Sequence, residues 1–325
     1  MGTFSGLVHA IHLDGQGGYI AVEDLTAAIA NATPQQPLWV HLDFSDQSSI
    51  HWLASLQLFT DWELEALLAD ETRPRLTKAQ QGDFLFLRGV NLNPEQDPED
   101  MVALRLFASE RLMISCRRRS IKSVQDVFAL LKQNQGPRSV SELVCEIAHC
   151  LTLRMQDIIY SLDDQLDVIE NIVETCPPPY DTAALALIRR QAIALKRHIR
   201  PQRDAVNQLG LAKLTWLQES DKPKLVEVSN DLTRYIEELE TSIEHATVIH
   251  QSIASQMSEQ LNQRMYVMSV VAALFLPLGF LTGLLGVNIG GIPGTESPFA
   301  FGLFVLMLFV LTFAIGIYFR AKKWL

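Results

Sequence analysis

The sequence predicts an α/β amino-terminal domain followed by long α-helices and two carboxy-terminal transmembrane helices. Three observations carry that prediction. Tyr266–Leu285 is a run of 20 residues without a charge, and a helix of that length covers ~30 Å, about one bilayer core. A second uncharged apolar run, Phe299–Phe319, follows after a short glycine-rich segment. Upstream of both, strand-like runs alternate with short helical ones up to about residue 120, and helical periodicity takes over from there. Segments of 122 and 99 residues before the long helix leave room for two compact parts.

Within the first segment, Val8–Leu13 alternates weakly. It leads through the glycine-rich Asp14–Gly18 into Tyr19–Val22, which reads as a hairpin. Leu38–Phe44, Phe84–Val90, Val102–Ala108 and Leu112–Cys116 are further strand candidates, and Ser48–Leu58 and Trp62–Leu68 read as short helices between them. Asn93–Asp100 is an acidic, proline-broken turn. His9, His12, His41 and His51 fit no compact zinc spacing and read as surface or strand-edge residues.

Helices follow at Ser123–Asn134, at Ser139–Thr175 with Ser139 or Ser141 as cap and the stop Cys176-Pro-Pro-Pro179, and at Asp181–Leu217 with Asp181 as cap. Cys145, His149 and Cys150 share one helical face and read as core, not metal ligands. The last cytoplasmic helix starts near Lys222-Pro223, where proline is tolerated in the first turn, and meets no breaker before Pro277. Carried to Leu285 it has 63 residues counted from Pro223. Leu225, Val228, Leu232, Ile236, Leu239, Ile243, Ala246, Ile253 and Met257 give it an apolar packing stripe.

A second stripe on this helix runs through Glu244, Val248, Gln251, Ser255, Ser258, Asn262, Met265, Ser269, Ala272, Leu276, Gly279, Gly283 and Gly286. Its first half is mostly polar and its second half mostly small. It fits either the lining of a water-filled axis or a close helix–helix contact through small residues, and ring closure by several copies would satisfy both. Pro277 removes the backbone bond to the Ala273 carbonyl, which either kinks the helix or frees a carbonyl toward the axis.

Charge sets the orientation and excludes several function classes. Arg264 flanks the first span and Arg320, Lys322 and Lys323 the second, whereas the segment 286–298 has no Lys or Arg and one acid, Glu296. The positive-inside rule then puts both termini in the cytoplasm and that loop outside, where Glu296 would attract cations. Residues 1–30 lack a basic start and a continuous apolar core, so no signal peptide is expected. A net charge of −10 argues against nucleic acid and suits cation partners. The four cysteines, Cys116, Cys145, Cys150 and Cys176, lie in the cytoplasmic part and read as reduced thiols. No CxxC, HExxH, GxxxxGK[ST] or GxGxxG occurs and no nucleophile–base pattern is visible, so neither an enzyme nor a tightly bound cofactor is expected. The expected order is therefore a cytoplasmic α/β domain (1–122), a cytoplasmic helical segment (123–221), the stalk part of the long helix (222–265), transmembrane helix one (266–285), a periplasmic loop (286–298), transmembrane helix two (299–319) and a basic cytoplasmic tail (320–325).

Several stretches resemble the CorA-type divalent-metal transporter superfamily. Gly286-Val287-Asn288 sits where that family carries a Gly-Met-Asn signature, at the outer end of the first of two carboxy-terminal spans. The wider FLPLGFLTGLLGVNIGGIPG, the final KKWL, WVHLDF, Glu71–Asn91 and Arg189–Leu209 look like its zinc-transport (ZntB) branch, so the likeness covers essentially the whole chain. The resemblance implies a homopentameric funnel in the bacterial inner membrane, its pore lined by the long helix. Gln251, Ser255, Ser258, Asn262, Met265, Ser269, Ala272, Leu276, Gly279 and Gly283 would then line the pore, and Gly286, Val287 and Asn288 would form the selectivity filter. A ring of Asn288 carbonyls would hydrogen-bond the water shell of a hydrated ion without stripping it. The implied cargo is Zn2+, with Cd2+, Ni2+ and Co2+ as further candidates, taken up with help from a proton gradient. No carboxylate or histidine lies between Tyr266 and Leu285, so no intramembrane proton relay is visible; His245 and His250 read as solvated stalk residues. A magnesium/cobalt channel of the same superfamily is the alternative. Val287 weighs against it, as does Gln251, at a stalk position where those channels tend to carry an aspartate. A membrane-tethered helical scaffold is the reading from another class.

Overall fold

The alternating runs of the first segment become one seven-stranded sheet. This computed structural model describes residues 4–287, 294 and 297–321. Its strands are β1 (Leu7–Leu13), β2 (Tyr19–Ala21), β3 (Leu38–Asp43), β4 (Arg75–Lys78), β5 (Asp83–Gly89), β6 (Val102–Ala108) and β7 (Leu112–Arg117). Their order is β2-β1-β3-β7-β6-β5-β4, with β3–β7 parallel and the other neighbours antiparallel. The central strands are buried along nearly their whole length, as a sheet covered on both faces requires. One face packs Leu38, Val40, Leu42, Phe84, Phe86, Phe107 and Ile114 with Leu25 of α1 (Leu25–Asn31), Leu53 of α2 (Gln47–Ser55) and Leu67 of α3 (Asp61–Leu68).

The expected strands and the two short helices form within a few residues of their predicted bounds. Two histidines do not sit as expected. His41 is buried and His9 half-buried, because β1 and β3 are neighbours whose register pairs His9 with His41, on the face that meets α4 (Lys122–Lys132). His12 and His51 lie near the surface, each with Nδ1 on a nearby backbone carbonyl.

α4 is followed by α5 (Val140–Thr175), which Ser139 caps by accepting from the Glu142 N–H at 3.1 Å. Arg154 of α5 grips Asp126 of α4 through two bonds of 2.5 and 2.7 Å. α6 spans Thr182–Leu211, capped by Asp181, and stops six residues before the expected Leu217. The turn after it brings the Trp216 Nε1–H to Asp83 Oδ2 at 2.9 Å. Gln202 of α6, in one of the family-like stretches, accepts the Arg88 N–H of β5 at 2.6 Å, while the Arg88 guanidinium donates to the Thr72 and Met101 carbonyls. α7 (Lys222–Leu285) is one helix of 64 residues, and α8 is Ala300–Ala321. The chain divides into a unit of residues 1–250 and a unit of residues 251–325, so α7 contributes to both. In the first unit Leu225, Val228, Leu232, Tyr235, Ile236, Leu239, Ala246 and Ile249 of α7 are buried, while Ile243 is only half-buried. In the second, Ile253 is buried and Met257, expected on the same stripe, is exposed.

Candidate ion pathway

The second unit is built from the end of α7 and from α8, both long and apolar enough to cross a membrane. Along α7, Val270, Ala273, Leu274, Pro277, Leu278 and Leu281 are half-buried. Their three–four spacing defines one shielded side of the helix. Pro277 and Ala273 both lie on it, so the carbonyl that the proline leaves unpaired belongs to a half-buried residue.

Ser269, Ala272, Leu276, Gly279 and Gly283 lie roughly opposite that side at 100° per residue, and all are exposed. Gln251, Ser255, Ser258, Asn262 and Met265 continue the same exposed line toward the stalk. Leu276 is 75% exposed. A Cβ added at Gly279 or Gly283 would meet nothing within 4 Å, so neither glycine is fitted to a neighbour within the chain. The Ser269 hydroxyl donates to the Met265 carbonyl at 2.8 Å, which leaves its oxygen free to accept from water or a partner. Apart from Met265 and Leu276, the line thus presents small and polar groups on a side of α7 that its own chain leaves uncovered. It carries no ionisable group between Met265 and Gly283.

Gly286 extends the helical ladder by one bond, its N–H donating to the Thr282 carbonyl at 2.9 Å. A Cβ there would lie 2.9 Å from that carbonyl, so the position demands glycine by close approach. Val287 follows, 44% exposed. Asn288, Glu296, Lys322 and Lys323 lie outside the described residues.

In the first unit, one feature escapes a reading of the linear sequence. His245 of α7 has Nε2 2.9 Å from Glu170 Oε2 of α5, and Asp167 joins them so that three ligand atoms lie within 4.8 Å of one another. It is the single grouping of this kind among the described residues. Asp167 is exposed and Glu170 half-buried on an acidic side of α5, and only packing brings His245 to them; a half-exposed side-chain hydrogen bond suffices to explain the contact. His250 is exposed. Cys145, His149 and Cys150 form no such grouping. Burial pushes the Cys116, Cys145 and Cys150 thiols up to about 12, so they are neutral.

A family model described as "CorA-like Mg2+ transporter protein" matches residues 34–323. The chain is 38% identical over 322 residues to the zinc transport protein ZntB of Pectobacterium carotovorum, covering 99% of this chain and 97% of that one. It is 39% identical over 329 residues to the divalent cation transporter CmaX of Pseudomonas aeruginosa, covering 100% and 98%. The structure of full-length CmaX superposes with a TM-score of 0.88 at 38% identity, over 99% of both chains. The CorA magnesium transporter of Methanocaldococcus jannaschii shares the fold, with a TM-score of 0.83 at 17% identity over 98% of this chain and 99% of that one.

Proposed function

The chain belongs to the family of CorA-like transporters, and on that premise we propose that it carries divalent metal ions, zinc foremost, across a bacterial inner membrane through a homopentameric pore. The observation that carries this reading is the uncovered line Ser269–Gly283 on α7, opposite the helix's shielded side. Copies of that line closed around one axis would cover it with itself and leave a narrow lumen of small and polar groups. With no ionisable group on the membrane part of the line, an ion would pass with its water shell held by hydroxyl and carbonyl oxygens and not by fixed charge. Asn288 would ring the outer mouth, where amide oxygens accept from polarised water. Gln251, Ser255, Ser258 and Asn262 would line the cytoplasmic approach.

Zinc is favoured by the names of the ZntB relatives, and magnesium is the second reading, favoured by the description of the family model. Uptake stimulated by a proton gradient belongs to the same proposal. The experiment is flux of zinc and of magnesium into liposomes holding the purified protein, with and without an inwardly acidifying pH gradient. The zinc reading expects saturable zinc entry, faster with the gradient, and much slower magnesium entry. Equal or faster magnesium entry would transfer the function to the second reading, and no flux of either ion would leave the scaffold.

A further inference from the structure

The buried His41 and the half-buried His9 line a cavity in the sheet domain, apart from the line on α7. β1, β3 and β7 run side by side, and the register places His9 beside His41 and His41 beside Ser115. Ser115 Oγ accepts from Trp39 Nε1 at 2.8 Å and bonds His41 Nδ1 at 2.7 Å, which ties up the inner end of this polar row. Arg117, two residues along β7, lies on the same face. Opposite stands α4, where His9 stacks on Phe128 with ring centroids 4.7 Å apart and Lys132 Nζ lies 4.8 Å over that ring. Between them is a cavity of about 340 Å³ lined by His9, His41, Arg117, Gln125, Phe128 and Lys132 among others. Gln125, Ala129 and Lys132 are exposed, so it opens at α4.

Three features of this cavity point one way. Two permanent cations, Arg117 and Lys132, line it, and no Asp or Glu does, in a chain whose net charge is −10. Arg117 Nε and His9 Nε2 are both buried without a hydrogen-bond partner, and a buried donor left unmatched is costly. The guanidinium is a planar donor suited to tetrahedral oxyanions.

We propose that this cavity binds a small dianionic oxyanion of the phosphate–sulfate class, held by Arg117 and Lys132 with His9 as an added donor. Bound there, the anion would supply the acceptors that Arg117 Nε and His9 Nε2 lack, and it would balance two like charges facing one space. The titratable groups around His9 are His41 on β3, Arg117 on β7 and Lys132 on α4, with Tyr19 of β2 against the Phe128 ring. Burial and Arg117 push the empty-state His9 down to about 4. A dianion beside it would offset both effects and favour the protonated ring, so binding takes up protons and tightens as pH falls.

The test is calorimetric titration of the purified full-length protein in detergent with sulfate, whose charge is constant between about pH 6 and about pH 8. Ionic strength is held fixed with chloride. Inorganic phosphate and glycerol phosphate serve as further arms that tell a free ion from the phosphoryl end of a larger molecule, and acetate is the mismatched control. The parent protein should bind one sulfate per chain, more tightly at the lower pH. Lys132→Glu, at an exposed position, should weaken binding at least about tenfold without changing the melting temperature. Arg117→Gln should do the same, and His9→Gln should remove the pH dependence. If Arg117→Gln fails to fold, Lys132→Glu decides alone. Absence of saturable sulfate binding, or identical isotherms for the parent and Lys132→Glu, overturns the proposal.

Discussion

Single residues divide into those whose role is local and those that need the fold. Asp181 was legible as a cap, and Ser139 as one of two candidates with Ser141, because a cap reads only the next two or three N–H groups. Gly286 was legible as part of a motif, and the structure adds the steric reason. The burial of His9 and His41 was not legible, since it depends on which strands become neighbours. It has a measurable consequence, shared with His198, which burial and then Arg88 and Arg197 push down to about 4, with Asp100 opposing weakly. In the unfolded chain the rings of His9 and His198 take up protons near the ordinary value of ~6.5. The folded chain resists protonation until about 4. Between those values the unfolded state binds more protons, so stability must fall as pH drops through that window. The thermal midpoint of the detergent-solubilised protein, followed by tryptophan fluorescence, should drop between about pH 7 and about pH 5. His198→Gln should make that drop smaller. Equal slopes in parent and variant would remove His198 from this account.

At the level of elements, period and length decided what could be read. The sheet strands and long helices carry many residues of consistent pattern. α1 has seven residues and β4 four, too few for periodicity to register. β4 is also an edge strand with a polar sequence, RLTK, visible only through its pairing with β5. The end of α6 was misplaced because a bond between Trp216 and Asp83, 133 residues apart, sets the turn that follows it. The α7 stripe was legible as a stripe, but its meaning was open between pore lining and packing seam; its exposure opposite the half-buried side rules out a seam within one chain and leaves both readings between copies. Leu276 is the bulkiest member of its membrane part and is 75% exposed. Leu276→Ser should therefore leave the fold of each chain intact. If a ring of these leucines gates by dewetting, the change should raise zinc leak severalfold in liposomes. Unchanged flux with the assembly intact would place the gate elsewhere.

For the whole molecule, the exposed line of α7 runs from the polar Gln251, Ser255, Ser258 and Asn262 into mostly small residues on its apolar part, and copies of the chain closed around it would cover both. The proposed pore predicts a homopentamer by native mass measurement, and the proposed orientation predicts that a cysteine at Thr295 reacts with an impermeant thiol reagent from outside intact cells. A monomer or dimer in lipid, or labelling only after permeabilisation, would contradict the assembly or the orientation. On the proposed pore, the line on α7 faces a shared ion path. Its most direct test uses the cysteines the fold supplies: Cys116, Cys145 and Cys150 are buried and Cys176 is exposed, so Cys176→Ser gives a silent background. In that background Ala272→Cys sits on the line and Phe313→Cys on the exposed side of α8. Zinc flux into liposomes is measured before and after treatment with a bulky methanethiosulfonate reagent. Flux through the Ala272→Cys protein should fall to roughly a tenth or less on modification, and zinc present during treatment should slow the reaction, while Phe313→Cys keeps its flux. Full flux through a fully modified Ala272→Cys protein would contradict the account.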